Sequence, residues 1–286
     1  MNELLRPQAI LANGVELTYV EQGAGDPVIF VHGSTGDLRG WLEHLALAAD
    51  RYRTIAYSRR GHYPNAWPAD YSDCTPEVHA ADLAALISAL GYGPVHLVGH
   101  SYGALVSLVL AAQRPELVRT LVLGEPPLFP WLTATPAGEA LLTAFLADVW
   151  EQARRTCQQG ELKAGMRIFI DGVMGEGAFD QCPAPVQAEM MDNAAEMVVE
   201  LETPPDTVFS TLSRDDVRGV SLPTLLLSGE LSPSLFRDVI DELAAVMPQA
   251  ELGVIPSVSH DLGDPVTFIE PVLGFLAKYG ETARTS

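Results

Sequence analysis

Positive charge is scarce in this chain. Its 286 residues hold 17 Lys and Arg against 37 Asp and Glu, a formal net charge of −20. A surface of that sign repels phosphate backbones and anionic headgroups, which argues against nucleic acid and membranes as partners. Cysteine is scarcer still. Cys74, Cys157 and Cys182 are odd in number and have no metal-site spacing, so a reducing, cytoplasmic setting is expected. The stretch Met1 to Pro7 has no apolar core of signal-peptide length, and no apolar run is long enough to span a bilayer. Internal repeats and low-complexity segments are missing. So are a glycine-rich phosphate loop ending in Lys-Ser/Thr and any zinc spacing of His and Cys; no cofactor and no metal are expected.

What is present is apolar and alternating. Apolar residues make up 48% of the chain, enough for a large core, and the length suits one α/β domain with an insertion. Asn13-Gly14 is a hairpin signal between two short strands. Pro27 to Val31 and Tyr52 to Tyr57 are strands, and Trp41 to Ala49 lies between them as a helix. Helical periodicity runs from Pro76 to Leu90, with Thr75 as N-cap and Gly91 as stop. Arg119 to Gly124 is a further buried strand. After Pro126-Pro127 the strands cease until about Asp216; Glu139 to Gln158, Glu161 to Val173 and Val186 to Glu202 have helical patterns. Alternation then resumes with a strand at Pro223 to Ser228 and a helix from Ser234 to Val246. A strand from Ala250 to Ile255 and a last helix from Pro265 to Tyr279 follow, and the tail after Gly280 is polar. Alternating strands and helices predict a doubly wound, mostly parallel sheet. The expected division is a core of residues 1–126 and 216–286 with a helical cap (lid) of residues 127–215.

Gly99-His100-Ser101-Tyr102-Gly103 carries the chemistry. It fits G-x-S-x-G, follows the apolar strand Pro94 to Val98 and precedes the helix pattern Ala104 to Ala112. Strand, sharp turn and helix make it a nucleophile elbow. The glycines relieve crowding in a strained turn, and the helix N-terminus points its N–H groups at the serine. Over essentially its whole length the chain resembles α/β-hydrolase-fold enzymes with a helical cap. His32-Gly33, the Arg60-Gly61-His62 loop, the elbow and the late His260 fall at that superfamily's landmarks.

A serine hydroxyl needs a general base, and the base needs an orienting acid. His260 is the sole histidine after Ser101, between the last strand and the last helix, where the fold has its base. The superfamily's usual acid turn is here Gly229-Glu230-Leu231-Ser232-Pro233, with serine in place of aspartate. Glu125, at the end of the strand after the elbow, is the expected substitute. The placement resembles haloalkane dehalogenases and zearalenone-type lactonases. Glu230, Asp238 and Asp241 are its rivals. The expected oxyanion donors are the backbone N–H groups of Tyr102 and Ser34, with Thr35 as the alternative to Ser34. His100 is expected to point away from the site. Dehalogenases and epoxide hydrolases of the fold use aspartate as nucleophile, which Ser101 argues against.

Leu128, Phe129 and Trp131 are the candidate substrate-binding residues, part of an apolar inventory that continues with Met166, Phe169, Met174, Met190, Met191 and Met197. The leading expectation is a Ser-His-Glu serine hydrolase acting on a small-molecule ester of apolar character. A lactonase of the zearalenone type is the runner-up, and a non-catalytic ligand-binding member of the fold is third. A homodimer remains open.

Overall fold

The computed structural model describes residues 5–68, 71–72, 74–209 and 212–280. Residues Met1 to Leu4 and the polar tail after Gly280 lie outside the described residues. Among the described residues one eight-stranded sheet runs through the molecule in the order β1-β2-β4-β3-β5-β6-β7-β8. β1 (Gln8–Ala12) and β2 (Val15–Gln22) form an antiparallel hairpin. Its turn places Asn13 at φ 48° and Gly14 at φ 77°, the pair of positive angles a tight hairpin requires. β2 pairs antiparallel with β4 (Arg53–Tyr57). From there the sheet is parallel through β3 (Pro27–Val31), β5 (Val95–His100), β6 (Val118–Gly124), β7 (Thr224–Gly229) and β8 (Glu251–Ile255). β3 is buried along its whole length, as a central parallel strand covered on both faces must be.

Helices cover both faces. α1 (Leu42–Ala48) and α13 (Pro265–Leu276) pack on each other and bury Leu45, Phe268 and Val272 against one face. α2 (Pro76–Leu90), α3 (Tyr102–Gln113) and α12 (Ser234–Val246) bury Leu83, Leu105 and Val239 in the other core. The ends of α2 follow from its caps: Thr75 accepts a hydrogen bond from the Val78 N–H, and Gly91 closes the helix at φ 71°.

Between β6 and β7 the described chain is helical. α4 (Pro136–Phe145), α5 (Glu151–Gln158), α6 (Leu162–Met174) and α7 (Ala178–Gln181) come first. α8 (Ala184–Asp192), α9 (Ala194–Glu202), α10 (Pro205–Val208) and α11 (Arg214–Arg218) follow. The helix expected from Val186 to Glu202 is two helices, α8 and α9, broken at Asn193. That buried side chain spends its amide on tertiary partners: Nδ2 donates to Asp37 at 2.8 Å, and Oδ1 accepts from the Tyr63 N–H at 2.8 Å. The pattern from Glu139 to Gln158 likewise contains a wide π-type turn at Leu146–Trp150. No helix among the described residues is long and apolar enough to cross a membrane.

Candidate active site

The parallel register delivers the candidate catalytic groups to one edge. β5 stops at His100, Ser101 makes the turn, and α3 starts at Tyr102. Ser101 sits at φ 52°, ψ −124°, a conformation that an L residue adopts only under tertiary constraint. The turn admits no side chain on either flank. A Cβ on Gly99 would come 2.5 Å from Gly103 O, and one on Gly103 would come 2.1 Å from Val31 O. The Ser101 N–H is anchored to Gly124 O at 2.7 Å, which ties the elbow to the neighbouring strand end.

Glu125 follows β6 at once, and its own φ of 50° turns it off the strand. Its N–H bonds Leu227 O at 3.2 Å. His260 comes from the turn between β8 and α13. The three side chains meet although they lie up to 159 residues apart in sequence. Ser101 Oγ is 3.1 Å from His260 Nε2, and His260 Nδ1 is 2.6 Å from Glu125 Oε2. The other carboxylate oxygen, Oε1, accepts from Ser228 Oγ at 2.8 Å and from the Gly229 N–H at 2.9 Å. Burial pushes the Glu125 carboxyl up. The bond and charge of His260, helped by Ser232 and Gly229, outweigh it and hold the group below the usual carboxylate range. Phe236 of α12 stacks on the imidazole, centroids 3.6 Å apart and planes 15° from parallel, and removes one ring face from water.

The rival acids lie elsewhere. Glu230 accepts the Ser257 N–H at 2.8 Å, and Asp241 is exposed on α12. His100 behaves differently from expectation: its Nε2 is 2.7 Å from His260 O and its ring is 4.9 Å from the His260 ring. It braces the turn that carries His260. Burial first, then the neighbouring His260, lowers its pKa to about 3, so the ring is neutral.

A cavity of about 420 Å³ opens over Ser101 and His260. Ser34 and Thr35 line it from the turn after β3, beside His32 and Gly33. Trp41, His44 and Phe268 come from the short turn before α1, from α1 and from α13, and Phe169, Met174 and Met190 from α6 and α8. Leu128, Phe129 and Trp131 do not reach it. They are buried one layer behind: Phe129 packs on Phe145, Phe209 and Phe236, and Trp131 donates Nε1–H to Leu212 O at 2.9 Å under the Arg214 guanidinium. Pro126-Pro127 turn this segment back onto α12, so its apolar side chains fill the joint between helices and sheet. Among the described residues no group of three or more His, Cys, Asp or Glu is arranged to hold a metal ion.

Beneath the turn at Gly33-Ser34 lies a polar cluster that sequence patterns did not reveal. Gly33 O accepts from Arg59 Nη2 at 3.0 Å, Ser34 O is 2.9 Å from His62 Nε2, and Ser34 Oγ donates to Glu200 Oε1 at 2.7 Å. The Arg59 N–H donates to His32 Nε2, so the His32 proton sits on Nδ1, 2.8 Å from Gly33 O.

Residues 26–264 match the alpha/beta hydrolase fold family. The chain belongs to that family. Within it, the chain is 39% identical over 108 residues to an epoxide hydrolase of Caballeronia sordidicola, an alignment covering 37% of this chain and 33% of that protein. It thus spans a third of that relative's length. It is 25% identical over 279 residues to a 2-(acetamidomethylene)succinate hydrolase of Mesorhizobium japonicum, covering 92% of each. The enol-lactonase from Burkholderia xenovorans LB400 superposes with a TM-score of 0.76 at 18% identity, covering 94% of this chain and 100% of that one, a likeness of fold.

Proposed function

We propose that this α/β-hydrolase-fold protein is a serine hydrolase that cleaves the carboxylic ester of an apolar small molecule through an acyl-enzyme. One observation carries the reading: the line Ser101 Oγ, His260, Glu125, with separations of 3.1 and 2.6 Å and its last two members buried. In the reaction, Ser101 Oγ attacks the ester carbonyl while His260 Nε2 takes its proton. Glu125 keeps the other imidazole proton on Nδ1 and stabilises the imidazolium. The N–H of Tyr102 is free of any intrahelical partner because it opens α3, and with the Ser34 N–H it serves the developing oxyanion. His260 then protonates the leaving alcohol, and water repeats the sequence on the acyl-enzyme. The helices between β6 and β7 act as the cap, with Phe169, Met174 and Met190 supplying an apolar wall.

A lactonase is the second reading. It is favoured by Glu125 in place of an acid in the turn at Ser232, the placement that resembles zearalenone-type lactonases, and by the fold likeness to an enol-lactonase. The chemistry is the same except that the leaving alcohol stays tethered to the acyl group. The test is to assay purified protein against a panel of open esters and lactones and to treat it with a fluorophosphonate. Labelling at Ser101, with turnover lost by at least about a thousandfold in Ser101→Ala, is expected. A fully active alanine variant would overturn the assignment, and turnover of lactones alone would select the second reading.

A further inference from the structure

The turn that follows β3 is held from the far side of the site by α9. Two carboxylates one helical turn apart, Glu196 and Glu200, face into the protein, although that spacing on a surface helix would ordinarily face water. They meet different company. Glu196 Oε2 is 3.1 Å from His62 Nε2, and Oε1 is 3.9 Å from His79 Nε2 and accepts from Tyr71 Oη at 3.1 Å. The charge and bond of His62, the Arg59 charge and the Tyr71 bond together outweigh burial and keep Glu196 an anion. Glu200 receives one bond, from Ser34 Oγ at 2.7 Å, and its Oε2 is buried with no partner among the described residues.

The contact is directional. Ser34 lines the cavity beside Ser101, and its hydroxyl hydrogen points away from the cavity into α9. The carbonyl oxygens of Gly33 and Ser34 are turned toward Arg59 and His62. With both carbonyls drawn inward, the peptide N–H groups of the turn are left facing the opposite way.

We propose that Glu200 is a positioning residue for the turn at Gly33-Ser34-Thr35: by accepting the Ser34 hydroxyl it holds that turn's N–H groups toward the oxyanion formed at Ser101. The inference rests on the serine-hydrolase reading above. Neutrality follows from the surroundings. Glu196 faces Glu200 from its own helix, Arg59 from the loop after β4, Tyr102 from α3, Cys74 from the approach to α2 and Ser34 from the turn. Burial first, and then the Glu196 anion, push Glu200 up to about 8, and Arg59 and Ser34 do not offset them. A neutral carboxyl adds no negative charge next to a developing oxyanion; an ionised one opposes it. Turnover should therefore fall on the alkaline side as Glu200 loses its proton.

The experiment compares wild type, Glu200→Gln, Glu200→Ala and Ser34→Ala on one chromogenic ester across a pH series, with thermal unfolding to confirm folding. Wild type should show an alkaline decline in kcat centred near 8. Glu200→Gln, whose amide oxygen also accepts the Ser34 hydroxyl, should retain neutral-pH kcat within about threefold and lose that decline. Glu200→Ala and Ser34→Ala should lower kcat by about ten- to a hundredfold at neutral pH with KM changed less than about threefold, the signature of a misaimed oxyanion donor. Folded Glu200→Ala and Ser34→Ala with wild-type kcat, or an alkaline decline that persists in Glu200→Gln, would overturn the role. If wild type is neither labelled at Ser101 nor turns over esters, it is the underlying reading that fails. Should Glu200→Ala not fold, Ser34→Ala decides, because it removes one oxygen and leaves α9 intact.

Discussion

Glu125 and Glu200 are two glutamates equally removed from water, 0% and 2% exposed, and they end in opposite states. Both bear the desolvation penalty that favours the neutral carboxyl. Glu125 sits at a strand end where His260, Ser228 and the Gly229 N–H converge on it, and it is held below the usual carboxylate range. Glu200 sits in a helix whose preceding turn already carries an anion, receives one hydroxyl, and is pushed up to about 8. Burial alone therefore says nothing about a carboxylate's charge. The donors that surround it decide.

The largest expected effect tests the Glu125 side of that contrast. Glu125→Gln keeps the shape and removes the charge that stabilises the imidazolium, so kcat should fall by up to about four orders of magnitude. Glu230→Gln should keep most activity, because Glu230 is engaged with the Ser257 N–H. Parallel kinetics on one ester decide between them, and an active Glu125 variant beside a dead Glu230 variant would reverse the assignment.

The stability consequences run in opposite directions. The folded protein holds the Glu200 proton between the ordinary carboxylate range and about 8, where the unfolded chain has released it, so this group costs stability as pH rises through that window. Glu125, held low, contributes stability above the ordinary range, and that contribution is lost as pH falls through its lowered value. Relative to wild type, Glu200→Gln should gain Tm up to a pH near 8 and then level off. Glu125→Gln should be less stable at neutral pH and converge with wild type on acidification. Shifts of several degrees are expected, since ~1 kcal/mol moves Tm by about 2–4 °C for chains of this order. Thermal unfolding across pH checks this; curves that run parallel for both variants would dissolve the contrast.

The smallest effects separate cavity wall from packing. Met190→Ala removes a side chain that lines the cavity and should raise KM roughly tenfold for an apolar ester. Trp131→Phe, one layer behind, should leave KM within about twofold and cost about 1 kcal/mol of stability through the lost bond to Leu212 O. Equal KM changes in the two would bring Trp131 back to the wall.

Local signals in the chain are sufficient where one element contains its own cause. The hairpin at Asn13-Gly14, the bounds of α2 between Thr75 and Gly91, and the strand-turn-helix around Ser101 are written in neighbouring residues, because turn angles, caps and the elbow's steric limits act over a few positions. The elbow motif likewise marked Ser101 as a candidate, position after it in the chain marked His260, and the strand end together with the family resemblance marked Glu125. Other features have causes far away in sequence. Asn193 breaks a helix for partners at Asp37 and Tyr63, and Leu128, Phe129 and Trp131 face a core rather than a cavity because α12 lies over them. The Glu196 and Glu200 pair is periodic like any solvated helix face. Only the fold brings Ser34, Arg59, His62 and Tyr71 against it, across separations as long as 166 residues, and so sets which carboxylate is charged. Sequence determines what depends on local backbone geometry and hydrophobic period; desolvation and hydrogen-bond partnership depend on neighbours that exist only once the chain has closed on itself.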